Sequence, residues 1–419
     1  MAQSTQSRQA APAGGTASFT VLELLIVVGI LGILGTVTII TLKPTELFSQ
    51  ARDANRVTEI QNINKAVQYY KALGNSNLGT ANVVYISVPD TSPTCANFLL
   101  PPLPTGWSYA CKTAAAYRNI NGTGWIPLNF SNVNPGSPFV TLPIDPINSA
   151  NDGLYYAYVN GGVVESWTLA SLLQSEKYLK EYGISDGGSD PARYEQGNDK
   201  ELWRLASGLA GYWSFDNNVN DSSGNNNNGT IVGSAPYVAG KINQAIQFGN
   251  GYVTVPDADT LDISNLGTVN AWVYLSATLS QNSAGLVHKG SLGDFSDESY
   301  SLRFGNKSDN PPHISFHARD TQGNGNSADY LYFPDLGVWH QITVTGGTNS
   351  QMTIYVDGLP YATLTTGANN IINSNGSLQI GCQLPSVAAY CFNGRIDEVR
   401  LYKRFMPGTE IKSLYEAGK

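Results

Sequence analysis

MTIYVDGLPYATL, residues 352 to 364, holds two runs of alternating apolar and polar residues on either side of Asp357-Gly358. Alternation at period two marks a strand with one face buried, and Asp-Gly between two such runs is the residue pair of a two-residue hairpin turn. The same texture continues in both directions, through QAIQFGNGYVTVP, TVNAWVYL, SYSLRFG, HISFHARD and VWHQITVTG upstream, and SLQIGCQ and NGRIDEVRLYKR downstream. Short strands of this kind, separated by Asn-rich and Gly-rich turns, predict an all-β sandwich over residues 208–419.

The sandwich takes only half of a 419-residue chain, which at about 150 residues per domain has room for about three modules. Charged residues make up 13% of the chain, against roughly 25% in an average soluble protein, so polarity falls to Asn, Ser, Thr and Gly. With 24 Lys plus Arg against 32 Asp plus Glu, the net charge is −8 and offers no electrostatic footprint for nucleic acid. The four cysteines fall as two close pairs, Cys95 with Cys111 and Cys382 with Cys391. Neither pair has C-x-x-C spacing, so two local disulfides and an oxidising compartment are expected, with four small buried thiols as the alternative.

From Phe19 to Leu42 the chain reads FTVLELLIVVGILGILGTVTIITL, longer than the roughly 20 residues that span a bilayer as a helix. Glu23 is its one charge, and a carboxylate at that depth requires a partner. Small residues, Ala17-Ser18, precede the apolar run, the reverse of a secretory signal. This FTVLELL stretch resembles the class III signal of type IV pilins and type II secretion pseudopilins. The resemblance implies cleavage by a prepilin peptidase between Ser18 and Phe19, methylation of the new amine, and pairing of Glu23 with a neighbouring subunit's N-terminus in an assembling filament. Ser18 stands where that family has Gly. A plain single-span anchor is the alternative.

Beyond the apolar run, Leu47, Ala51, Ala54, Val57, Ile60, Ile63, Val67 and Tyr70 recur every three or four residues. They extend the helix, and a single rod from Phe19 to Ala72, kinked at Pro44, would be roughly 80 Å long. After Gly74 come VVYISV, GWIPLNF and LYYAYV, short apolar runs that read as a small sheet. LPIDPIN at 142–148, YYAYV, and DGGSDPARYEQGNDKELW at 186–203 resemble the head of the major pseudopilins and their pilin-like relatives. That likeness implies a calcium ion in the acidic loop, with Asp186, Asp190, Glu195 and Asp199 as candidate ligands.

In order, YWSFD, DSSGNNNNGTIVG, AIQFGNGYVTVP, WHQITV, IYVDG and GRIDEVRLYKR resemble the laminin-G-like, concanavalin A-like jelly roll. That resemblance implies binding of glycans or proteins, with a structural calcium to which Asp216, Asp221 and Asp397 are candidate ligands. Hydrolytic members need two carboxylates roughly 5 to 9 Å apart, as in E-x-D-x-x-E; the string is absent. Asp397 and Glu398 are adjacent in a strand and should point to opposite faces. His313 and His317 would sit about 13 Å apart on one strand face, too far to share a metal. His340 belongs to the WHQITV strand and reads as structural. No catalytic activity is expected. Asp294, Asp297, Asn306, Tyr330 and Tyr332, in or near the longest loops, are candidates for ligand contact.

The expected fold class is therefore α+β, a long N-terminal pilin-type helix with a small β-sheet head followed by an all-β jelly-roll sandwich. Its expected parts are a leader (1–18), a transmembrane helix (19–42), the soluble half of the stem (43–73), a pilin-like α/β head (74–203) and the jelly roll (208–419). The expected role is a minor or tip filament subunit displaying a glycan- or protein-binding domain, held in the bacterial inner membrane before assembly and outside the cell afterwards. A pseudopilin of a secretion machine and an anchored glycan-acting enzyme are the rival expectations.

Overall fold

The computed structural model describes residues 20–133, 136–161, 166–263, 267–276, 283–291, 297–305, 313–320, 325–330, 334–346, 351–365, 371–383 and 390–419. It has two compact units, Met1–Phe48 and Ser49–Lys419.

In the first unit, α1 (Val21–Leu42) opens on a capping box. Thr20 Oγ1 accepts the Glu23 N–H at 3.2 Å, and the Glu23 carboxylate accepts the Thr20 N–H at 2.8 Å, so two orphan donors of the helix start are satisfied. The helix stops at Lys43, whose φ of 43° is left-handed, and α2 (Pro44–Ala72) starts at the next residue. The expected rod is thus two helices. Pro44 has no N–H to continue the ladder and its ring disfavours helical backbone at the residue before it, yet it fits the first position of a new helix. Among the described residues no helix is long and apolar enough to cross a membrane. The side chains described in α1 include an unbroken run from Val21 to Thr36, with Val21, Leu22, Leu25 and Ile33 exposed.

Within the second unit, α2 buries Val57, Ile60, Ile63, Ala66 and Val67, whereas Leu47 and Ala51 of the expected stripe are exposed. Two charged residues lie on the buried face. Arg56 donates to Asp53 at 2.8 Å and bidentately to Asp145 at 2.6 and 3.0 Å, all with fully buried side chains. Asp145 also accepts the Ile147 N–H at 2.8 Å, so LPIDPIN ties α2 to the part of the chain that follows it.

The head sheet runs β2 (Ser108–Ala110), β1 (Val83–Ile86), β3 (Tyr156–Asn160), β4 (Trp167–Leu172), β5 (Arg193–Gly197), antiparallel except for β1 with β2. GWIPLNF is not a strand. Pro127 cannot donate to a ladder, and Trp125, Ile126, Leu128 and Phe130 are instead buried from a turn. Short helices α3 (Glu176–Tyr178), continued by a π turn over Leu179–Gly183, and α4 (Leu202–Ala206) flank the sheet. Cys95 is bonded to Cys111.

The sandwich has fifteen strands among the described residues: β6 (Leu209–Trp213), β7 (Thr230–Ser234), β8 (Tyr237–Ala239), β9 (Gln244–Phe248), β10 (Asn250–Val255), β11 (Thr268–Leu275), β12 (Ser283–Lys289), β13 (Tyr300–Gly305), β14 (Ile314–Arg319), β15 (Gly325–Tyr330), β16 (Trp339–Gly346), β17 (Gln351–Val356), β18 (Leu359–Thr365), β19 (Leu378–Ile380) and β20 (Gly394–Tyr402). They form a seven-stranded sheet, β15-β14-β13-β12-β19-β10-β7, and an eight-stranded one, β18-β17-β16-β11-β20-β9-β8 with β6 on β20. All pairs are antiparallel, and Asp357 and Gly358 turn the β17–β18 hairpin with φ of 51° and 73°. Val253, Leu302, Phe316 and Ile380 from one sheet meet Val269, Val273, Ile342 and Ile396 from the other in one core. Cys382 is bonded to Cys391.

The chain ends in α5 (Gly408–Gly418), which leaves the sandwich and completes the head. Ile411, Leu414 and Ala417 of α5, with Tyr355 and Tyr402 on the outer side of the eight-stranded sheet, share one apolar cluster with Val57, Ile60, Leu169 and Leu172. Ser413 Oγ donates to the Leu173 carbonyl at 2.6 Å, and Tyr415 stacks on Trp272 of β11. One outer face of the sandwich is therefore occupied by the head.

Candidate functional site

The other outer face belongs to the seven-stranded sheet, and strand parity fixes what it carries. Core residues Val255, Leu378, Ile380, Val287, Tyr300, Leu302, Phe316 and Ala318 place their neighbours Thr254, Gln379, His288, Ser301 and His317 on the opposite side. Those five are register partners across five strands: Thr254 with Gln379, Gln379 with His288, His288 with Ser301, Ser301 with His317. The row is polar throughout, yet His288, Ser301 and Gln379 are fully buried.

Glu298, just ahead of β13, reaches over this row. Its Oε2 lies 2.7 Å from His317 Nδ1 and its Oε1 3.3 Å from His288 Nδ1, and Oε1 also accepts Gln383 Nε2 at 3.1 Å. Burial alone would raise the Glu298 carboxyl, but the two imidazoles outweigh it and hold the group well below the usual range. Gln383 follows Cys382, and its N–H bonds to the Tyr390 carbonyl at 3.0 Å, so the second disulfide closes the segment that positions this contact. Three buried atoms of the row, Ser301 Oγ, His288 Nε2 and Gln379 Oε1, make no hydrogen bond. Buried polar atoms in that state cost free energy unless something else satisfies them.

The expected ligand residues are placed as follows. Asp297, beside Glu298, accepts the Ser291 N–H at 2.8 Å and Ser374 Oγ at 3.2 Å, stapling two loops at the end of the polar face. Tyr330 packs edge-on against Tyr361, ring centres 4.3 Å apart, joining the edges of the two sheets. Asp294, Asn306 and Tyr332 lie outside the described residues, as do Ser18 and Phe19. Glu23 caps its own helix. His340 Nδ1 lies 2.8 Å from Asp357, a structural contact at the hairpin turn.

Among the described residues no three His, Cys, Asp or Glu side chains converge as a metal-binding group. Asp221 accepts the N–H groups of Tyr212, Ser223 and Asn227, at 2.8 to 2.9 Å, within its own loop. Asp216 accepts the Gln244 N–H at 3.0 Å, and Asp397 those of Lys241 and Ile242 at 2.8 and 3.0 Å, so these two clamp one turn by its backbone. In the head loop Asp186 and Glu195 approach each other: a Cβ on Gly188 would stand within 2.9 Å of both carboxylates. Their oxygens accept loop N–H groups of Gly188, Glu195, Ser189 and Asp190. Burial pushes Asp186 up to about 6 and Glu195 well above the usual range, the latter with help from the charge of Asp190. Asp190 itself faces Arg193 at 3.3 Å, and Asp199 contributes its carbonyl to Thr168 Oγ1.

Asp397 and Glu398 depart from the expected opposition of faces. Glu398 has a left-handed φ of 54° at a register shift, and Ile396 and Val399 are the core residues on either side, so both carboxylates turn away from the core. Glu398 is held by Tyr212 Oη at 3.0 Å and by Arg400 at 2.5 Å. Beside them a cavity of about 390 Å³, lined by Tyr212, Asp216, Trp272 and Glu398, separates sandwich from head.

Fold and site define an α+β chain with an antiparallel jelly-roll sandwich, one sheet of which is covered by the head and the other of which carries a buried polar row. Residues 248–412 match the family model of the concanavalin A-like lectin/glucanases superfamily. No curated protein matches the chain. Among solved structures it is similar to domain 4 of AbnA, a GH43 extracellular arabinanase from Geobacillus stearothermophilus, in complex with arabinotriose: 21% identity over 49% of this chain and 97% of that one, TM-score 0.40. It is also similar to the binding domain of Paraclostridial Mosquitocidal Protein 1, at 16% identity over 50% of this chain and 52% of that one, TM-score 0.40. A third is the botulinum neurotoxin serotype G binding domain, at 17% identity over 49% and 50% of the two chains, TM-score 0.40.

Sequence reasoning missed His288, Glu298 and Gln383. Lys289 beside His288 breaks the alternation that would have marked the strand, and nothing local links residues 288, 298 and 317.

Proposed function

We propose that this chain is a pilin-like surface subunit whose sandwich presents a glycan-binding face. The observation that carries the reading is the family match over residues 248–412, in a sandwich whose eight-stranded sheet is covered by the head, which leaves the side of Asp297 and Glu298 for a ligand. The apolar α1 and the FTVLELL resemblance support an anchor in the inner membrane, cleavage after Ser18 by a prepilin peptidase, assembly with other pilin-like subunits through Glu23, and display outside the cell. Binding, not catalysis, is the proposed chemistry, because Asp397 and Glu398 are engaged by backbone N–H groups, Tyr212 and Arg400. A calcium ion, if the head keeps one, would be held at Asp186 and Glu195, and a rise in melting temperature with calcium over chelator would support it.

The test is the full chain, coexpressed with a prepilin peptidase and extracted in detergent, followed by intact mass and by a glycan array. Loss of Met1–Ser18 together with saturable glycan binding is expected. An uncut N-terminus would overturn the filament half, and an array without hits would overturn the glycan half; capture of a protein ligand instead would redirect it.

A further inference from the structure

The cover that the head gives the eight-stranded sheet stops short of its β17–β18 edge. Met352, Ile354 and Val356 of β17 face the core, so Gln351, Thr353 and Tyr355 take its outer side. Thr363 of β18 is the register partner of Thr353, with their hydroxyls 3.0 Å apart. Asn151 of the head and Phe405, ahead of α5, complete with these four a groove of about 470 Å³, in which Gln351, Thr363 and Asn151 are exposed. No described residue that lines it carries a charge. Tyr355 is only 9% exposed, and its hydroxyl makes no hydrogen bond. Gly408 leaves that hydroxyl room, since a Cβ there would stand 3.0 Å from the oxygen. A phenol nine-tenths withdrawn from water and unpaired has a donor to offer an occupant of the groove. The half-buried Phe405 ring stacks on no other described aromatic.

We propose, resting on the glycan-binding reading above, that this groove is a second binding site and that its ligand is a short neutral glycan. An uncharged wall of amide, hydroxyl and aromatic groups matches a sugar, whose hydroxyls pair with Asn151, Gln351 and the threonines while its apolar ring face lies on Phe405. Gln351, Thr353 and Tyr355 follow one another at roughly 7 Å along one strand face, so a ligand of two or three rings meets all of them. The volume falls within the roughly 300 to 1,000 Å³ of small-ligand clefts. Selectivity follows from the missing charge. A uronate would give up its water for a groove with no cation, in a chain whose net charge is −8, and is therefore disfavoured.

The full chain in detergent would be titrated with neutral gluco-, xylo-, manno- and galacto-hexasaccharides and with hexagalacturonate. At least one neutral sugar should bind about tenfold or more tighter than the acidic one and should slow amide exchange in β17 and β18. Tyr355→Phe removes an oxygen that has no partner in the protein, so it should weaken that binding several-fold and leave the melting temperature unchanged. Thr363→Arg, at an exposed position, should fill the groove and abolish the binding without unfolding the chain. Neutral binding that survives both variants, or hexagalacturonate bound as tightly, overturns the proposal and leaves glycan binding to the side of Asp297 and Glu298. Failure of every hexasaccharide overturns the groove as a site, and an array without hits overturns the underlying reading as well.

Discussion

Glu410 of α5 stands 3.3 Å from Arg193 of β5, and the same carboxylate takes two hydrogen bonds from Arg404, at 2.5 and 2.9 Å. One buried anion thus serves a cation of the head and a cation of the sandwich. Arg193 in turn lies 4.6 Å from the Trp203 ring, and Arg404 donates to the Ser207 carbonyl at 2.6 Å in the segment that joins the two parts. Head and sandwich act as one unit.

Replacing Glu410 should therefore destabilise both parts together. Burial would raise its carboxyl, but Arg404 and Arg193 hold it at about 2, below the 4.5 of a free glutamate. A depressed pKa contributes stability at pH above the unfolded value, and that stability is lost as pH falls from about 5 toward 2. Glu410→Gln leaves the buried Arg404 guanidinium without an anion and Arg193 with Asp190 alone, and should cost about 3–5 kcal/mol at pH 7. Chemical denaturation should show one cooperative transition moving to lower denaturant, with less of the acid sensitivity of the parent chain.

Asp397 predicts the opposite pH slope. Its carboxyl is pushed up to about 8 by burial, against the Lys241 and Ile242 N–H groups that favour the charged form, and its Oδ1 has no partner. A raised pKa gives stability that is complete at low pH and declines as pH rises from about 4 through about 8. Asp397→Asn keeps an acceptor for both N–H groups and removes the charge. At pH 8.5 it should be more stable than the parent by about 1–3 kcal/mol, with little difference at pH 4. Thermal melts across that range would settle the sign, and a variant less stable at pH 8.5 would sink the argument.

Much of this fold is written locally. Asp357-Gly358 announces its hairpin because two left-handed residues in a row suit few side chains, and the strand runs around it alternate because one face is core. Thr20-x-x-Glu23 carries a capping box in plain sequence, although the charge of Glu23 within an apolar run draws attention to assembly instead. The polar row is legible only after register is known, since His288 and His317 meet Glu298 through strands whose pairing no short window contains. The docking of α5 is hidden for a related reason. An amphipathic helix after a sandwich says that it packs against something, and only the tertiary fold identifies that surface as the head.

The disulfide between Cys382 and Cys391 should matter more for binding than for folding of the whole unit. It closes a short loop, nine residues apart in sequence, next to Gln383, whose amide steadies Glu298. Cys382→Ser with Cys391→Ser should lower stability by about 2–4 kcal/mol and weaken glycan binding several-fold. Removing Cys95 and Cys111 should give a comparable loss of stability with binding unchanged, because that bridge lies in the head. Equal binding losses for the two double variants, in titrations at a temperature where both are folded, would sever the link between the second bridge and the site.

Ile411 tests whether α5 belongs to the head. It is fully buried, and its cluster draws on the stem helix through Ile60 and Ile63 and on the head sheet through Leu169 and Leu172, with Tyr355 and Tyr402 from the sandwich. Truncating a buried Ile to Ala removes transfer free energy and leaves a cavity, a cost of about 2–5 kcal/mol. If α5 were only the tail of the sandwich, the loss would appear as slackened amide protection in β11, β16 and β20. Because it completes the core of the head, Ile411→Ala should instead loosen hydrogen-exchange protection first in α2, β3 and β4, more than 200 residues earlier in the chain. Protection in α2, β3 and β4 that survives Ile411→Ala would show that the head closes its core without the C-terminal helix.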